Sequence, residues 1–162
     1  MNKRQRAILI DFATVIVITA IAVVAMINFK DWVNRSEAMR AMEELRQRVK
    51  QYREGHGSAP PKSWVDAQRE TLPGNVRLGN LQYRARWITF ESTPDEILAY
   101  AERNYRFRLV GKGYIILRLG AVLSDKGRVE WMGKQEFETL LARQQSPEEI
   151  EAVGESSRRL RK

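Results

Sequence analysis

Residues 7–29, AILIDFATVIVITAIAVVAMINF, form an apolar run with no polar stripe; Asp11 is its one charge, and Thr14, Thr19 and Asn28 are its other polar members. As a helix this run spans roughly 34 Å, enough for the hydrocarbon core of a bilayer. A buried helix of a soluble protein this long would normally show a polar face, so the run predicts a transmembrane helix. The pattern changes at Asp31. In DWVNRSEAMRAMEELRQRVKQYREG, the residues Met42, Leu45, Val49 and Tyr52 recur at spacings of 3, 4 and 3, with Met39 and Trp32 on neighbouring positions. That is one apolar stripe on a polar helix. Acids alternate with bases there, and Glu44 with Arg48 is an i,i+4 pair. No Gly or Pro interrupts residues 7–54, so both halves are expected to be one rod. It should stop at Gly55-His56-Gly57, with Pro60-Pro61 barring continuation. The stripe covers about one and a half heptads, short for a free coiled-coil stalk. Met39, Met42, Leu45, Val49 and Tyr52 are therefore expected to pack on a soluble domain.

Beyond the prolines the period shortens. Residues 63–70 suit a short helix and Pro73-Gly74-Asn75 a turn. Strand-like runs follow at 81–90, 97–101, 104–110, 113–119 and 129–132, the last after the Asp125-Lys126-Gly127 turn. Their spacing predicts an antiparallel meander. Residues 135–143 suit a helix. Ser146 and Pro147 suit the N-cap and first position of another, before a basic tail expected to be disordered. The fold class is thus α+β: a long N-terminal helix packed on a small antiparallel sheet, with a short C-terminal helix. The division is a basic segment 1–6, a transmembrane helix 7–29, an amphipathic extension 30–54, a soluble domain 55–145 and a tail 146–162.

Composition narrows the chemistry. The chain has 28 Lys and Arg against 20 Asp and Glu, a net charge of +8, one histidine and no cysteine. Disulfides and thiolate metal sites are excluded. His56, between two glycines, reads as a surface loop residue without a partner for a zinc or nucleophile constellation. No phosphate loop or paired-carboxylate motif is present, so no catalytic, cofactor-binding or metal residue is assigned and no enzyme or cofactor is expected. Arg84, Arg86, Arg103, Arg106 and Arg108 lie among Tyr83, Trp87, Tyr105 and Phe107, an arrangement that can stack single-stranded nucleic acid. The same alternation describes any half-buried strand with aromatics in and arginines out. With basic and acidic residues mixed, nucleic acid is not the expected partner. Ala20-Ile21-Ala22 has the form of a signal-peptidase site, but apolar residues continue past it, which favours an uncleaved anchor. Bases flank both ends of the run, so charge alone leaves the orientation open.

Asp11 has two readings. It lies one turn from Arg6, where an interfacial contact with the basic cap suffices; alternatively it pairs with a neighbouring subunit. The layout resembles type IV pilins and the pseudopilins of type II secretion. AILIDFATVIVITAIAVVA is similar to their Phe-Thr-Leu-Ile-Glu-Leu run, with Asp11 at the position of the glutamate that neutralises the N-terminal amine of an adjacent subunit. LRQRVKQYREGHGSAPPKSW resembles the pseudopilin succession of helix, tyrosine, glycine and proline. ILAYAERNYRF and VLSDKGRVEWMGKQEFETLL resemble the end of planctomycete pilin-like proteins, placing Val122, Leu123, Gly127, Val129, Glu130 and Trp131 on a hairpin. Arg6 stands where the prepilin peptidase needs glycine, and Lys126 and Arg128 replace the hairpin's Asp and His. The resemblance implies a non-enzymatic, membrane-anchored structural or assembly component of a secretion or pilus-type system; the departure at Arg6 leaves open whether it is processed. Its anchor would lie in the inner membrane, with the soluble domain on the extracytoplasmic side. Its partners would be membrane lipid and pilin-like subunits or secretion-system membrane proteins. Competing expectations are a bitopic protein whose soluble domain is an interaction module, and a DNA-binding minor pilin.

Overall fold

The computed structural model describes residues 3–88, 92–105, 111–124 and 128–152. Its dominant element is α1 (Lys3–His56), a single helix of 54 residues and about 80 Å. Within its apolar half three polar side chains turn a donor back onto the helix, although Asn28 Oδ1 has no hydrogen-bond partner among the described residues. Thr14 and Thr19 donate to the carbonyls of Ile10 and Val15, each at 2.8 Å, and Asn28 donates to that of Val24 at 2.9 Å. Such back-bonding hides hydroxyl and amide groups that would be costly to place in an apolar solvent. The helix ends where Gly57 takes φ 70° and donates to the Arg53 carbonyl at 2.7 Å. His56 is the last residue of α1 and not a loop residue: its ring stacks on Tyr52 at 4.0 Å.

After α2 (Lys62–Glu70) and a 3-10 turn at Asn75–Arg77, four strands form one sheet: β1 (Leu81–Tyr83), β2 (Ile97–Asn104), β3 (Lys112–Arg118) and β4 (Glu130–Gly133). Neighbours pair antiparallel in the order β1-β2-β3-β4, the expected meander. A short helix α3 (Leu119–Leu123) joins β3 to β4, and α4 (Lys134–Gln144) follows directly. The architecture is α+β, with a helix on each sheet face.

Alternation along β3 assigns the faces. Ile115 and Leu117 point to the cluster that contains Ala38, Ala41, Met42, Leu45 and Val49 of α1. Tyr114 and Ile116 point to the cluster of Met132 and Phe137 on the α4 side. The β2–β3 register slips between Ile97 and Ala99. Leu98 is the extra residue, so Leu98 and Ala99 both join the α1-side cluster while Ile97 joins the other.

Three strand expectations need correction. Of the run 81–90, residues 89 and 90 lie outside the described residues, and over 81–88 it is a strand only at Leu81–Tyr83, because Arg84 turns inward and Ala85–Trp87 form a 3-10 turn. Residues 97–104 are one strand instead of two ending and starting near 101 and 104; positions 106–110 lie outside the described residues. The arm of the expected hairpin that contains Val122 and Leu123 is helical. Leu119 and Gly120 donate backbone bonds of 2.7 Å to the carbonyls of Glu96 and Pro94, which turn the chain off the sheet. Arg46 of α1 then donates to the Ala121 carbonyl at 2.9 Å.

Candidate functional site

Two regions have features beyond core packing: the apolar half of α1 and a cleft where α1 enters the head. The most apolar window of α1 has a mean hydropathy of 2.7, and none of it is buried within the chain. Ile8, Ile10, Phe12, Ile18 and Ile21 are all exposed. Asp11 sits exposed on this rod, within the apolar stretch and about one turn from its basic end. A helix surface this long and apolar needs another phase or another protein to cover it. The stripe residues lie further along. Met42, Leu45 and Val49 are fully buried, Met39 packs at the edge of the same cluster, and Tyr52 is half-buried against Trp64 at 4.8 Å. Val129 is buried just before β4, and Trp131 is half-buried on the α1 side; Gly127 lies outside the described residues.

The cleft has a volume of about 560 Å³ and is lined chiefly by Ile27, Lys30 and Asp31 of α1, Arg77 of the 3-10 turn, and Arg103 and Tyr105 at the end of β2. Asp31 is 8 % exposed, and its Oδ2 has no hydrogen-bond partner among the described residues. Neither do Arg103 Nε and the Tyr105 hydroxyl. A buried polar atom left unpaired costs about 1–3 kcal/mol, more for a charged one, so three in one place call for an explanation. Arg103 donates from Nη2 to the Val76 carbonyl at 3.1 Å. Arg77 is held by Glu37 at 3.0 Å. Arg35 lies over the Trp131 ring at 4.9 Å, and Tyr105 packs on the same ring at 5.6 Å. Burial lowers the Arg103 pKa, with Tyr105 opposing and Arg77 adding to the shift. Burial raises that of Tyr105; Arg103 and Arg35 oppose, and Asp31 adds.

A second polar cluster is structural. Arg84 is 3 % exposed and meets Glu149, 1 % exposed, in a two-pronged pair: Nε to Oε1 at 2.6 Å and Nη2 to Oε2 at 2.8 Å. The same guanidinium donates to the carbonyls of Ile97 at 2.7 Å and Gln144 at 3.2 Å. Glu149 belongs to a helical segment, 147–152, capped by Ser146, whose Oγ accepts from the Glu149 amide at 3.2 Å. The arginines of 84–108 therefore do not share one exposed face: Arg84 is inside, Arg103 lines the cleft, Arg86 lies over Trp87 at 5.1 Å, and 106 and 108 lie outside the described residues. Among the described residues no group of three or more His, Cys, Asp or Glu converges as a metal site would.

Sequence reasoning missed Asp31, the Arg84–Glu149 pair, and Ala38 and Ala41, which complete the buried stripe. The alanines had a signal in their spacing to Met42 and Leu45. Asp31 and Glu149 had none, because their burial is decided by segments distant in sequence.

No protein-family model matches the chain, nor does any curated protein or solved structure.

Proposed function

We propose that this chain is a single-pass, membrane-anchored, pseudopilin-like component of a secretion or pilus-type assembly, without enzymatic activity. One observation carries the reading. A single unbroken helix has a wholly exposed apolar first half, and its second half is the spine of a small antiparallel head. In this arrangement the first half lies in lipid and the head is held at a fixed distance above it. Subunits associate through the rods, with Asp11 as the polar contact between neighbours, since an acid in an apolar layer is stabilised by a cationic or hydrogen-bonding partner. The burial of Arg84 argues against a nucleic-acid face.

The absence of cysteine makes the test direct. Single cysteines placed at positions 8–18 of the full chain in native membranes should give oxidative dimers on one helical face. Asp11→Ala should reduce them several-fold while leaving the chain resistant to alkaline carbonate. Release by carbonate refutes the anchor. Cross-linking unaffected by Asp11→Ala refutes the assembly role and favours a membrane-bound interaction module. A mature mass beginning at Met1 or at Ala7 distinguishes the unprocessed from the processed form.

A further inference from the structure

The cleft under the head brings the buried Asp31 carboxylate together with the half-buried Arg103 guanidinium and the exposed Arg77 and Lys30. We propose that it is a binding site for the headgroup of an aminophospholipid, a phosphodiester bearing a primary ammonium. The phosphate would lie on Arg103, Arg77 and Lys30, and the ammonium at Asp31. The inference rests on the membrane-anchored reading and deepens it.

Position comes first. The lining residues of α1 run from Ile27 to Asn34, the first turns beyond the apolar run. At 1.5 Å per residue, Asn34 lies only about 8 Å beyond Phe29, within the headgroup layer of a bilayer whose apolar core ends there. Phe29 and Trp32 stack at 6.1 Å on the same stretch, an interfacial aromatic pair. Val76, at the mouth of the cleft, is 80 % exposed beside the cationic Arg77. An apolar side chain next to a cation suits the boundary between acyl chains and phosphates.

Chemistry then selects the headgroup. Guanidinium groups favour phosphate oxygens, and Arg103 Nε is a buried donor without an acceptor among the described residues. A simple anion would set a negative charge against Asp31, whose buried Oδ2 itself needs a donor. A primary ammonium brings three donors and one positive charge to that oxygen. A trimethylammonium has no N–H and leaves Oδ2 unsatisfied, and a glycerol headgroup brings no positive charge. The cleft, about 560 Å³, exceeds what the headgroup fills, and Ile27 and Val76 line the remainder for the glycerol and first methylenes.

The test uses the full chain, purified in mild detergent and offered an equal mixture of phosphatidylethanolamine, phosphatidylglycerol and phosphatidylcholine, with retained lipid read by native mass spectrometry. One phosphatidylethanolamine per chain should be retained in preference to the other two. Asp31→Asn and Arg103→Gln should each lower that retention about tenfold or more, the loss of one charge-assisted hydrogen bond. Asp31→Asn should melt no lower than the wild type in lipid-free detergent, because the buried Oδ2 has no hydrogen-bond partner among the described residues to lose; this separates lost binding from lost folding. Equal retention of the three lipids, or unchanged retention by Asp31→Asn, overturns the inference. So does soluble phosphoethanolamine binding as tightly as the lipid, which would make the ligand a free metabolite. Extraction of the chain by carbonate overturns the membrane reading as well; a chain that stays in the membrane without lipid preference overturns this inference alone.

Discussion

Removing the Glu149 carboxylate should loosen the helical segment 147–152 and destabilise the whole head. In Glu149→Ala, a guanidinium only 3 % exposed loses both of its short carboxylate bonds. The carbonyls of Ile97 and Gln144 remain, and Glu96 stands 3.8 Å away as a partial substitute. Breaking a buried pair by deleting one partner costs about 3–5 kcal/mol, and the remaining acceptors place this case near 3 kcal/mol. With a urea slope near 2 kcal/mol/M for a domain of this size, the unfolding midpoint should fall by about 1.5 M. Urea titration of the full chain in non-ionic detergent, followed by near-ultraviolet circular dichroism of the head tryptophans, measures it. The double variant Arg84→Met with Glu149→Leu should return to within about 1 kcal/mol of the wild type, since an apolar pair of similar volume has no ion to desolvate. A single-variant loss below about 1 kcal/mol, or a double variant weaker than Glu149→Ala, would refute the reasoning.

Two further outcomes follow from the sheet. Gly113→Ala places a Cβ 2.5 Å from the Met132 carbonyl oxygen and from the Trp131 ring. It should therefore separate β3 from β4 locally at a cost of about 1–3 kcal/mol, seen as a lower melting temperature and a shift in tryptophan emission. Burial raises the pKa values of Tyr83, Tyr100, Tyr105 and Tyr114 above the ordinary 10.0. The folded chain thus keeps these protons where the unfolded chain loses them, so stability is intact below about pH 10 and falls as pH rises beyond it. A urea midpoint that stays flat from pH 9 to 11.5 would contradict this.

What could be read from the sequence follows the reach of each signal. The single long helix and the meander are written in local periods and breakers: no Gly or Pro in residues 7–54, then β-rich runs about ten residues apart. Turns off the sheet were harder. Arg84 continues the alternation of its neighbours, and its turn inward depends on an acid 65 positions later. Val122 and Leu123 have strand-like side chains, but backbone bonds to Pro94 and Glu96 fold them into α3. The base cleft was invisible for the same reason. Asp31 belongs to a polar stretch of helix, and only the arrival of residues 76–77 and 103–105 encloses it.

The continuity of α1 makes the angular setting of the head a property of chain length. No hinge separates the exposed apolar segment from the segment under the sheet, so a rotation of one is a rotation of the other. One residue inserted between Phe29 and Ala38 would swing every feature of the head about 100° around the rod axis relative to Asp11. Seven would restore the phase to within about 20° while raising the head by about 10 Å. In the assembly proposed above, the azimuth at which neighbouring copies meet would be fixed by the residue count between Asp11 and the head.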